Sequence, residues 1–100
     1  MLPAFLEANL HMLARRIFPE GPLEPVLGRA PQPGRLCVTV SESKDCIARL
    51  GEVETIEITG EKLLKKLAVG HEIVVVYEDG GDYMTREQLA WYRQLMEDKQ

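Results

Sequence analysis

Two thiols and two imidazoles, Cys37, Cys46, His11 and His71, are the side chains of this chain with the widest chemical range. A cysteine within hydrogen-bond reach of a histidine can form a nucleophilic thiolate. Cys46 or Cys37 with His71 is therefore the candidate catalytic pair of a thiol-dependent site. The local sequence supports it little. The cysteines stand nine positions apart, which is neither a C-x-x-C redox pair nor a zinc-ligand spacing. No nucleophile elbow or glycine-rich loop opens a helix at Cys46. Buried free cysteines commonly act as small apolar residues, and that is the favoured reading. His71 follows Gly70 and reads as a loop histidine, while His11 sits on or beside an apolar stripe.

The stretch "VVVYEDGGDYMT" brings Glu78, Asp79 and Asp82 around Gly80-Gly81. A calcium loop of the EF type needs oxygen ligands at alternate positions over twelve residues, and these carboxylates do not supply that pattern. Gly80-Gly81 reads as a tight turn, with Asp79 and Asp82 solvated beside it and close to the positive end of the next helix. No metal ligand set and no cofactor motif emerges. "ITGEKLLKK" lacks the order of a P-loop, and two serines, both in "SES", leave little room for a serine hydrolase. Trp91 falls about 200° from Leu89 at ~100° per residue. It is either a half-exposed cover of the core or an anchor for a partner beside Arg93. The candidate binding residues are Trp91, Arg93, Asp79 and Asp82.

The elements that must position these residues follow from periodicity. Leu2, Phe5, Leu6, Leu10, Leu13 and Ile17 recur at three- and four-residue steps, which predicts an amphipathic helix ended by Pro19. Residues 19–34 hold five of the six prolines and three of the eight glycines. They predict an extended connection, pinned by Leu23, Val26 and Leu27, that forms neither helix nor inner strand. "RLCVTV" alternates as a strand. "SESKDCIARLG" predicts a short helix, capped at Ser41 or Ser43 and stopped at Gly51, that presents Cys46, Ile47 and Leu50. "VETIEIT" is a second strand with Val53, Ile56 and Ile58 on its apolar side. "TGEKLLKKLAVG" is a helix capped at Thr59 or Gly60, with Leu63, Leu64, Leu67 and Ala68 inward and Gly70 at its end. The run Ile73 to Tyr77 suits a strand at the sheet centre. A turn or short strand follows, and Thr85 with Gln88 opens a last helix striped by Leu89, Tyr92, Leu95 and Met96. Strands alternating with helices predict a single α/β domain over 1–100. Its N-terminal helix (1–18) and Pro-rich connection (19–34) precede a core (35–100) with a mixed three- or four-stranded sheet.

The stretch "VETIEITGEKLLKKLAVGHEIVVVYEDGGDYMTREQLAWYR" resembles the second half of SseB-type N-terminal domains, the enhanced serine sensitivity proteins of bacteria. Gly60, Leu63, Leu64, Leu67, Gly70, Ile73 to Val76, Gly80, Thr85, Glu87 and Leu89 fit that pattern. Val40-Ser41-Glu42 stands where the family has its "F-T-S" helix start. The likeness covers about residues 36–95. It departs at "EDGGD", where the family has Asn-Pro-Gly, and at the Pro-rich segment, which replaces an early strand. The resemblance implies a compact α/β fold and brings no catalytic residues.

Composition narrows the partners. With 12 basic and 16 acidic residues the net charge is −4, which leaves no electrostatic footprint for nucleic acid or an anionic membrane. Basic residues are scattered apart from Arg15–Arg16 and Lys65–Lys66. The N-terminus has the wrong charge order for a signal peptide, and no apolar run reaches the ~20 residues of a membrane span. The expectation is a cytoplasmic, non-catalytic domain that binds a protein partner or itself as a homodimer.

Overall fold

A computed structural model describes residues 4–16, 18–49, 54–67 and 69–98. The chain opens with one helical turn, α1 (Ala4–Glu7), and then runs straight into a strand, β1 (Asn9–Arg16). This corrects the helix expected over the N-terminal 18 residues; its Leu2 and Ile17 lie outside the described residues. The cause is the alternation Leu10, Met12, Ala14. All three are buried, whereas His11 and Leu13 between them are half-buried. Apolar residues are dense enough here to satisfy a period of 3.6 or of 2, and pairing on both edges decides for 2. On one edge β1 pairs antiparallel with β5 (Glu54–Thr59) over six positions.

Its other edge is shared. His11 and Met12 pair with Ser41 and Val40 of β4 (Leu36–Ser41), whereas Ala14 to Arg16 pair with β2 (Leu23–Pro25). Gly28 and Arg29, which form β3 (Gly28–Arg29), pair with Cys37 and Leu36 of β4. The Pro-rich connection thus fills the wedge where β1 and β4 diverge. Pro25 is tolerated because β2 needs ladder bonds on one side only. Of the residues expected to pin it, Leu23 and Val26 are half-buried and Leu27 is exposed.

β4 pairs in parallel with β6 (Glu72–Tyr77), and β6 pairs antiparallel with β7 (Gly80–Met84). Among the described residues the sheet therefore has seven strands, more than the three or four expected. β1 and the two short pieces of the connection supply the excess. The α/β class holds. Between β4 and β6 the chain crosses out to β5 and back. With connections of the usual right hand, crossing out and back places the two helices on opposite faces. These helices are α2 (Lys44–Ala48) and α3 (Gly60–Lys66). The main core lies on the α3 side, where Leu10, Met12, Val38, Val40, Ile73, Val75 and Met84 of the sheet meet Leu6 of α1, Leu63 and Leu64. Leu89 and Met96 of α4 (Arg86–Asp98) close it. Cys46 and Ile47 of α2 are buried outside that cluster.

Local chemistry sets the helix ends. The Thr59 hydroxyl accepts from the Lys62 N–H at 3.3 Å, and that of Thr85 accepts from Gln88 N–H at 3.3 Å. The Ser43 side chain makes no capping bond at α2; instead Ser41 Oγ accepts from Ser43 N–H at 3.1 Å and donates to the Val76 carbonyl at 2.6 Å. Gly60 has a further constraint, since a Cβ there would overlap the Phe5 carbonyl. Leu50, Gly51, Val53 and Ala68, expected in the helix and strand ends, lie outside the described residues.

Candidate functional site

At the start of β6, Glu72 is fully buried, and sequence reading had passed over it. Its carboxylate accepts from Tyr83 Oη, from Arg35 Nη1 at 2.9 Å and from the Arg86 backbone N–H at 2.7 Å. Arg35 reaches on to Glu87 at 3.3 Å. One carboxylate thus joins the end of the Pro-rich connection, β7 and the first turn of α4. Burial alone would raise the Glu72 carboxyl; the bonds from Tyr83, Arg86 and Arg35 outweigh it and hold the group below the usual carboxylate value. Tyr83, Arg35 and the Arg86 backbone all donate to this one carboxylate, so the cluster is a lock between elements.

The thiols occupy inert positions. Cys37 and Cys46 are both free and buried. Burial and the neighbouring Glu72 push the Cys37 thiol up, away from the thiolate that nucleophilic chemistry requires. Cys37 shares the sheet face of Glu72, its register partner. His71 instead lines an apolar groove on the other face with Met12, Leu27, Ile56 and Leu67, a groove of about 560 Å³ that neither cysteine lines. Among the described residues no three His, Cys, Asp or Glu side chains gather as a metal set.

The acidic loop is arranged differently from the sequence expectation. Tyr77 pairs with Gly80, so the tight turn is Glu78-Asp79, and the two glycines are the first residues of β7. Gly81 is needed for close approach, since a Cβ there would sit 2.8 Å from the Val75 carbonyl oxygen. Asp79 is exposed at the turn. Asp82 points back along the hairpin and accepts from Tyr77 Oη at 3.0 Å. That bond, with partial burial and the nearby charges of Asp82 and Glu42, raises the Tyr77 phenol above its usual value.

Asp82 and Tyr77 line a cleft of about 420 Å³ together with Phe5, Tyr92, Glu42 and Gln88. The cleft opens where the parallel strands β4 and β6 end, between α1 and α4. Phe5 stacks on Tyr92 with ring centres 6.0 Å apart, and Trp91 lies 5.2 Å from Tyr92. Trp91 itself is 55% exposed. An aromatic track therefore runs from the outer side of α4 into the cleft. Arg93 takes another role. Its Nε and Nη2 donate to the carbonyls of Leu64 and Leu67 at 3.3 and 3.2 Å, which closes the C-terminal end of α3. Of the four binding candidates, Asp82 and Trp91 border this feature, Asp79 stands at the adjoining turn and Arg93 is committed to packing. Phe5, Glu42, Tyr77 and Tyr92 were missed because α1, the loop after β4, β6 and α4 bring them together from distant parts of the chain.

Among the described residues no helix is long and apolar enough to cross a membrane. Comparisons with family models, with curated proteins and with solved structures find no match for this chain.

Proposed function

We propose that this chain is a non-catalytic interaction domain that meets a protein partner, or a second copy of itself, through the surface of α4 and the adjoining cleft. The observation that carries this reading is Trp91, more than half exposed on a packed helix and continuous with Tyr92 and Phe5. Large aromatic side chains on a rigid element are the usual anchors of protein interfaces. The reading agrees with what the resemblance to SseB-type domains implies, namely a compact bacterial fold without catalytic machinery. Two buried free thiols suit a reducing, cytoplasmic setting. Nucleic acid is a poor fit to a net charge of −4.

Sedimentation velocity across a concentration series, with cross-linking in the expressing cell, tests the proposal using wild type and Trp91→Ala. The expected result is a cross-link from α4 to a second copy or a defined protein that the variant loses. A monomer at every concentration, with identical cross-links in both proteins, would overturn it. A thiol-dependent enzyme, the competing reading, requires Cys46 or Cys37 beside His71. What speaks against it is that the groove lined by His71 includes neither cysteine.

A further inference from the structure

The cleft between α1, α4 and the β6–β7 hairpin has a chemical character that neither its aromatic residues nor its acids have alone. Its walls carry the rings of Phe5, Tyr77 and Tyr92 and the carboxylates of Glu42 and Asp82. Among the described residues no lysine or arginine lines it. Neither Glu42 nor Asp82 belongs to an ion pair among the described residues, although Glu54, Glu61, Glu72 and Glu87 all do. The floor is apolar, formed by Leu10, Val75 and Met84. At about 420 Å³ the space lies within the range of small-ligand pockets. Electron-rich ring faces attract a cation, and two unpaired carboxylates add charge of the sign that favours it. An anion would meet repulsion on entry. A neutral apolar group would cover Glu42, and Asp82 beyond its one bond from Tyr77, without returning a hydrogen bond.

We infer that this cleft receives an alkylammonium group, and that the occupant is a lysine side chain presented by a protein partner. The inference rests on the interaction reading above and specifies the chemistry of its partner. An apolar floor suits the methylene stem of lysine, while the rings and carboxylates take its charged end. Trp91 and Tyr92 extend the aromatic surface past the mouth of the cleft, and a free small amine would leave that extension uncovered.

The test is a titration followed by amide chemical shifts, with the blocked peptide acetyl-Gly-Lys-Gly-amide as probe. Saturable shifts are expected at Glu42, Tyr77, Asp82, Gln88 and Tyr92. The matching norleucine peptide, equal in stem but uncharged, should bind at least tenfold more weakly. Glu42→Gln with Asp82→Asn should weaken lysine-peptide binding by a similar factor while shifts elsewhere in the spectrum stay in place. Equal binding of the two peptides, or undiminished binding by the double variant, would overturn the inference. Tighter binding of free putrescine than of the lysine peptide would overturn the choice of a protein side chain. If the lysine peptide fails to bind while Trp91-dependent association persists, the cleft inference falls and the interaction reading stands. If the peptide binds but no Trp91-dependent association exists, the cation site stands and the surface reading of α4 falls.

Discussion

Glu72 gives up water on folding and receives three donors in exchange, from Tyr83, Arg35 and the Arg86 backbone. Breaking such a cluster costs more than forming it contributes, because the donors left behind remain desolvated. Glu72→Gln keeps the shape but aims an amide N–H₂ at groups that are themselves donors. It is expected to lower stability by about 2–3 kcal/mol, measurable as a shift of the urea midpoint with little change in slope. The same residue makes stability depend on pH. Its folded carboxyl lies below the ordinary value of 4.5, so the unfolded chain takes up the proton first as acid is added. The stabilisation is therefore complete above about pH 4.5 and is lost as pH falls through the folded value. Glu87 is also lowered, first by its own backbone N–H and further by Arg35, against partial desolvation. It adds to the same trend. Melting temperature should fall on acidification below that pH more steeply in wild type than in Glu72→Gln; parallel curves would remove Glu72 from the acid transition.

At the scale of elements, β1 carries the fold. It pairs with β5 on one edge and with β4 and β2 on the other, so removing residues 1–18 should abolish cooperative unfolding instead of releasing an intact core. Circular dichroism on heating the truncated chain checks this, and a sharp transition close to that of wild type would refute it. Gly60 joins the same region to α3. Gly60→Ala drives a methyl into the Phe5 carbonyl and is expected to cost about 1–3 kcal/mol, the range for overpacking. Gly28→Ala, with open space around the new Cβ, serves as its control. These positions also mark the limit of legibility. From Leu36 onward, caps at Thr59 and Thr85 and alternating strands specified most elements, because each signal is local, although α3 ends at Lys66, ahead of the expected stop at Gly70. β1 was not legible. Leu6, Leu10 and Leu13 support one period while Leu10, Met12 and Ala14 support another, and strands far along the chain choose between them. The site was less legible for the same reason. Trp91 and Asp82 could be singled out by type, whereas Arg35 meets Glu72 across 37 residues and Glu87 across 52.

Across the whole molecule, stability and recognition occupy different ground. The Glu72 lock holds the first turn of α4 from one side, and the Phe5–Tyr92–Trp91 track with its acidic cleft lies along the other. Two contributions to partner binding should then separate by experiment. Trp91 supplies apolar contact from an exposed position, so Trp91→Ala should change stability by no more than about 0.5 kcal/mol while weakening association at every ionic strength. Glu42 and Asp82 supply charge in a cleft open to solvent, and exposed charges are screened over about 10 Å at 0.1 M salt and about 3 Å at 1 M. Wild-type association should therefore weaken as salt rises from 0.05 to 0.5 M (roughly 14 to 4 Å of screening length). The Glu42→Gln, Asp82→Asn double variant should start weaker and respond little to salt, whereas Trp91→Ala should keep the wild-type salt slope from a lower starting affinity. Isothermal titration with the partner identified by cross-linking reads both quantities. A Trp91→Ala protein that lost the salt slope as well would show the two regions to be one contact, with the carboxylates acting only through the geometry of α4.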